Sequence, residues 1–163
     1  MLSVNVSAPT ELRTNRFVTR PLLATDNEKD FEAWSSSIEA LNGVFGPESG
    51  WPSSDMTLEE NAVDVAWHQK EHANNSSYAF TVMSTDNVRC LGCVYLSPAR
   101  KLGYEVELFW WVRSDESASG LDAVLGDAVQ QWLKDDWPFR NVVCPGRSIS
   151  WDAYSALQDQ PHW

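Results

Sequence analysis

Two periods divide the sequence. Residues 16–22 (RFVTRPL) alternate polar and apolar positions as a strand with one buried face does, and Pro21 confines that strand to an edge or marks its end. Phe31, Trp34, Ile38 and Leu41 then recur at helical spacing. Thr25 or Asp26 can cap that helix, and Glu28 stands three residues after Thr25 as a capping box requires. Residues 42–55 (NGVFGPESGWPSSD) form a loop long enough to point to a functional role, with Phe45 and Trp51 placed to fold over a ligand. Thr57 and Glu60 give a second capping box, and Leu58, Ala62, Val65 and Ala66 make the apolar face of a helix ending before Asn74.

Three strand-like runs follow, at residues 78–84, 89–96 and 104–113, separated by short polar turns in the manner of an antiparallel meander. Leu121, Val124, Leu125, Ala128, Val129, Trp132 and Leu133 keep the helical rule through three turns until Trp137-Pro138 stops it. The spacing predicts a helix over about 119–134 packing Leu121, Leu125, Ala128 and Trp132 onto the sheet. Residues 141–144 read as a short strand and 150–158 as a short final helix. The order is β-α-α-β-β-β-α-β-α, a mixed α/β (α+β) class with a largely antiparallel central sheet flanked by helices.

The length of 163 residues sets the expectation of one domain, residues 16–163, after a flexible leader at 1–15 that carries no periodicity. Hydrophobic residues at 43 % and charged residues at 21 % place the chain outside the disordered classes. A net charge of −11 argues against nucleic acid or an anionic membrane as partner and suits a cationic one such as an amine. No apolar run approaches a membrane span, the first residues do not read as an export signal, and Cys90, Cys93 and Cys144 are too few for a disulfide framework. A cytoplasmic protein is expected. His68 and His72, four apart, and Cys90 and Cys93, three apart, have spacings that metal sites use. In an extended strand the two cysteines point to opposite faces, and the histidines lie on a Gln/Lys/Glu-rich segment that reads as a solvated helix face, so no metal site is expected.

The order of elements, with the residues that fill it, resembles the GNAT acetyltransferase superfamily over residues 16–159, particularly the branch of ribosomal-protein N-terminal acetyltransferases. The opening strand RFVTRPL with Thr25-Asp26 is similar to that branch's first strand and acidic turn. Residues 107–125 (ELFWWVRSDESASGLDAVL) match its cofactor segment, and residues 147–157 (RSISWDAYSAL) echo its closing helix. The resemblance implies acetyl-CoA as co-substrate, bound by Trp111, Val112, Arg113, Ser117, Ala118, Ser119, Gly120 and Leu121. A strand-to-helix turn offers free amides and a positive helix end to a pyrophosphate. Of the family's pattern at the turn only Gly120 is kept: Ser117 stands where Arg or Gln is preferred and Asp122 where Gly or Ala is. Ser117 and Ser119 can donate to phosphate, and Arg113 can supply positive charge. Ser119 and Asp122 also form a Ser-x-x-Asp capping pattern, and Asp115, Glu116 and Asp122 put three negative charges at the turn.

By the same resemblance Glu107 is the base on the strand and Tyr154 the acid on the last helix, with Glu105 two residues before Glu107 on the same face. An N-acetyltransferase acting on a primary amine of a small molecule or polypeptide is therefore expected, the alternative being a catalytically inactive GNAT-like binding or interaction module. The family adds two strands after its last helix, whereas this sequence reads QDQPHW after residue 157, so those strands are expected to be missing. The strand at 141–144 would then be an exposed edge, covered in a homodimer by the last helix or by His162 and Trp163 of the partner, or by the tail folding back on its own subunit.

Overall fold

The alternating runs form a six-stranded sheet in the computed structural model, which describes residue 2 and residues 7–161. In chain order the elements are β1 (Leu12–Arg13), β2 (Val18–Pro21), α1 (Asn27–Ser35), α2 (Ile38–Leu41), α3 (Leu58–Ala73), β3 (Tyr78–Met83), β4 (Cys90–Pro98), β5 (Val106–Val112), α4 (Leu121–Asp136), β6 (Val142–Val143) and α5 (Trp151–Ser155). The strands lie in sequence order across the sheet, every neighbouring pair antiparallel except β5 and β6, which are parallel.

Residues 12 and 13, inside the segment expected to be a leader, pair with β2 as Leu12↔Thr19 and Arg13↔Val18. Two residues are too few to show a period. β2 is therefore not an edge, and Pro21 marks its end.

Period-2 alternation divides the strands between two cores. Tyr78, Phe80 and Val82 of β3 and Leu108 and Trp110 of β5 join Leu121, Leu125, Val129 and Trp132 of α4 on one face. Ala79, Met83 and Trp111 join Trp34, Leu41 and Val65 from α1, α2 and α3 on the other. Each buried side chain of this size contributes about 1.5–3 kcal/mol, so both faces hold the sheet. α4 is thus placed as its periodicity predicts, although it runs to Asp136.

The first helix departs from its expected cap. A 3-10 turn at Ala24–Asp26 precedes α1, and the Asp26 carboxylate takes the Leu23 N–H (2.9 Å) and two Arg20 N–H groups (2.8 Å each). Thr25 and Glu28 form no box because this ion pair organises the turn. The stripe of Phe31, Trp34, Ile38 and Leu41 is broken between α1 and α2, yet all four side chains pack in the second core. The box at Thr57 and Glu60 forms in both directions, at 2.8 and 3.2 Å. On α3, Val65 and Asn61 are buried while Ala66 is exposed.

Asn61 ties α3 to α1 through buried polar groups. It accepts from Trp34 Nε1 (3.0 Å) and donates to Asp30 (3.0 Å) and Asn27 (2.8 Å). Burial pushes the Asp30 carboxyl up to about 6 from 3.8. The folded chain then holds this proton more tightly than the unfolded one, so stability falls as pH rises through the window between those two values. Asp30→Asn should stabilise the protein at pH 8 by about 1–3 kcal/mol and change little at pH 3.5, as denaturant unfolding at the two pH values would show.

Both metal-like spacings acquire other roles. The β3–β4 register shifts between Val82 and Met83, so that Met83 pairs with Cys90 and Val82 with Gly92. Leu91 is the extra residue of a bulge, which turns Cys90 and Cys93 onto the same face instead of opposite ones. Burial pushes the Cys90 thiol up to about 12 and raises that of Cys93 well above the usual thiol range, so both remain thiols. The histidines are not on a solvated face: His68 packs on Tyr95 at 5.4 Å, and His72 on Tyr78 and Phe80 at 5.0 Å each. Burial lowers the pKa of both. Among the described residues no group of three or more metal-ligating side chains occurs.

The 42–55 loop folds onto the second core. Phe45 meets Trp51, Tyr95 and Phe109 at 5.1–5.4 Å between ring centroids, and Trp51 meets Trp34 and Trp111 at 5.8 Å. At the other end, Gln160 N–H bonds to the Arg100 carbonyl and Leu102 N–H to the Gln158 carbonyl, both at 2.8 Å. Residues 158–160 therefore fold back on the β4–β5 turn of their own chain. His162 and Trp163, expected to cover a partner's edge, lie outside the described residues.

Candidate active site

β5 and β6 pair only at Val106↔Val142 and Glu107↔Val143, after which the strands part. Val106 donates to Asn141 across this edge, so by strand alternation Leu108 and Trp110 turn the same edge toward the gap. A cleft of about 240 Å³ lies there, between residues 108–110 on one side and 145–147 with Trp151 on the other.

At the paired end of β5 the structure brings Glu107 and Tyr154 together. α5, capped by Ser150 through a bond to Ala153 N–H, carries Tyr154 to the sheet. Its hydroxyl donates to Glu107 Oε1, which also accepts from the Arg100 backbone N–H (3.0 Å) and Nε (3.1 Å). Glu107 and Tyr154 are 3 % and 2 % exposed, so this is a desolvated hydrogen-bonded pair. Burial and the bond to Glu107 raise the Tyr154 pKa. Beside the pair opens a cavity of about 450 Å³, walled by Phe45, Trp151, Tyr154 and Arg100. Glu105 is not part of it. Its carboxylate accepts from the Arg140 and Asn141 N–H groups at 2.6 and 3.0 Å, which lower its pKa and tie down the approach to β6.

The residues assigned to the cofactor are spread more widely. Trp111 is buried in the second core with Nε1 on the Tyr95 hydroxyl (3.1 Å), and Val112 is buried on the other face. Arg113 is also buried: Glu32 binds it through two bonds of 2.6 Å and raises its pKa, with Asp115 at 2.9 Å. Its charge is engaged by α1. Ser117, Ala118 and Ser119 lie in a 3-10 turn at Ser114–Ser119, where the Ser119 hydroxyl bonds back to Glu116.

Gly120 stands at the N-cap of α4 with φ +70°, a left-handed conformation that suits glycine. No side chain caps α4, so the capping pattern of Ser119 and Asp122 does not form. Asp122 instead binds Arg147 through two bonds of 2.8 and 2.9 Å. Asp115 and Glu116 pair with Arg89. A Cβ at Gly120 would meet nothing within 4 Å, and no side chain accepts from the first amides of α4.

Two residues of the site had no signal of their own. Arg100 sits in a segment that reads as a turn, and Arg147 opens the closing match without a role. Both are assigned by contacts distant in sequence.

No family model and no curated protein matches the sequence. Solved structures do. The ribosomal-protein-S5-alanine acetyltransferase of Vibrio fischeri superposes with a TM-score of 0.66 at 12 % identity, over 82 % of this chain and 72 % of that one. A GNAT-family acetyltransferase of Bacillus anthracis gives 0.62 at 14 % identity, over 90 % and 81 %. The ribosomal L7/L12 alpha-N-protein acetyltransferase RimL, in complex with coenzyme A, gives 0.60 at 10 % identity, over 74 % and 64 %. With its sequential sheet, its parting β5 and β6 and the helix α4 that follows β5, the chain has the fold of the GNAT acetyltransferases, the ribosomal-protein branch included.

Proposed function

We propose that the protein is an acetyl-CoA-dependent N-acetyltransferase that modifies a primary amine of a small molecule or a polypeptide N-terminus. The observation that carries this reading is the buried Glu107–Tyr154 pair beside a 450 Å³ cavity, where β5 and β6 begin to part. Acetyl-CoA, when bound, supplies the thioester that an amine attacks.

The residues present fit such a ligand. The β5 edge past the last β6 pair suits an extended chain bearing amides once Arg147 leaves the Trp110 carbonyl, and the first turn of α4, which no side chain caps, suits a diphosphate. Behind the cavity wall formed by Tyr154 and Arg100, Glu107 is the group able to accept the proton of an entering ammonium. Tyr154, held in its protonated form at neutral pH, is the group able to give one. Arg100 orients the carboxylate, which is buried behind Tyr154. A reducing, cytoplasmic setting belongs to the same reading, supported by three free and buried thiols.

One observation favours the inactive binding module instead: Arg147 reaches into the cleft and occupies the Trp110 carbonyl (3.0 Å). Incubation with acetyl-CoA and a panel of primary amines and short peptides, followed by mass spectrometry, separates the two. Acetylated product that depends on the folded protein is expected. Its absence across the panel, with acetyl-CoA left intact, favours the module.

A further inference from the structure

Arg147 is the guanidinium of the β5–β6 cleft. Its Cζ stands 3.8 Å from the centroid of the Trp110 ring, one N–H bonds to the Trp110 carbonyl at 3.0 Å, and two more meet the Asp122 carboxylate at 2.8 and 2.9 Å. Asp122 is the second residue of α4, so the charge is already held beside the uncapped turn. Of the other cations nearby, Arg113 is paired with Glu32 and Asp115 and Arg89 with Asp115 and Glu116, while Arg16 bonds the Ser119 carbonyl at 3.2 Å from the outer side of the turn. Residues 114–119 contain no basic side chain.

Both partners of Arg147 are of a kind that an anionic ligand replaces. The Asp122 side chain is 47 % exposed, and the Trp110 carbonyl lies on a strand edge without a ladder partner. A phosphate presents the same paired oxygens as a carboxylate, so the guanidinium can change partners while it stays stacked on the indole. We propose that Arg147 is the phosphate-binding cation of this cleft. It takes the diphosphate of a CoA-type ligand in place of the basic residue that the turn lacks, with Asp122 as the positioning residue that holds it and competes for it. In a chain of net charge −11, with Asp115, Glu116 and Asp122 around the turn, a diphosphate needs such a cation. The inference rests on the acetyl-CoA reading.

Calorimetric titration with CoA of the wild type, Arg147→Met, Arg147→Lys and Asp122→Asn tests it, each protein first being checked by thermal melting. Arg147→Met should weaken binding about ten- to a hundredfold, as loss of charge-assisted bonds does, and Arg147→Lys should fall between. Asp122→Asn should bind severalfold tighter while melting at a lower temperature, a divergence that a merely structural role would not produce. CoA binding by Arg147→Met as tight as wild type overturns the proposal and leaves the acetyl-CoA reading standing. Weaker binding by Asp122→Asn overturns the competition. A wild type that gives no heat at millimolar CoA ends the acetyl-CoA reading itself, and this proposal with it.

Discussion

Glu107→Gln should lower the turnover of acetyl transfer by about 10²–10⁴-fold, the range for loss of a positioned general base, while the protein stays folded. Glutamine keeps an oxygen that can accept from Tyr154 and Arg100, as Glu107 Oε1 does, so the local geometry is retained. It cannot take up a proton at neutral pH. The charge left on Arg100 is not stranded, because that side chain is 51 % exposed. Tyr154→Phe removes the proton donor and leaves the carboxylate, so it should also lower turnover with little change in KM for acetyl-CoA. Steady-state rates at saturating acetyl-CoA check both. A Glu107→Gln enzyme within threefold of wild type would remove the pair from the chemistry.

The largest effect on stability is expected at Gly92. A Cβ there would stand 2.0 Å from the Trp111 carbonyl oxygen and 3.1 Å from its carbon, so the backbone of β5 itself would have to move. Overpacking of a core costs about 1–3 kcal/mol when side chains can yield. Gly92→Ala should exceed that, lowering the melting temperature by roughly 10 °C or more for a chain of this size. Gly126→Ala is the matched control. Its Cβ would meet Trp110 Cζ2 at 2.5 Å, a ring atom that can shift, and its cost should be smaller. Thermal melts of the two variants give the comparison, and equal costs would contradict it.

The alternating and helical periods placed the meander of β3, β4 and β5 and the long helix α4, because burial on two faces leaves a direct trace in the order of residues. What escaped was decided at long range. The bulge at Leu91 adds one residue that no period reveals, and it reverses where Cys93 points relative to Cys90. Asp122 has the spacing of a capping box, yet Gly120 holds the N-cap and Arg147, 25 residues on, takes the carboxylate. Arg113 stands where a strand-end cation can serve phosphate, but Glu32, 81 residues earlier, binds it first. The histidines of α3 read as solvated from their charged neighbours, and only the packing of that helix on β3 and β4 buries them. Glu107 and Tyr154 were singled out by the family resemblance and not by any local pattern. Their contact spans 47 residues and needs β5 and α5 to be placed first.

The most direct test of the site as a whole is titration of the wild-type protein with acetyl-CoA in a calorimeter. Binding with a Kd from below 1 μM to tens of μM, roughly 6–9 kcal/mol, is the predicted result. No heat at millimolar acetyl-CoA, from protein shown to be folded, would contradict it.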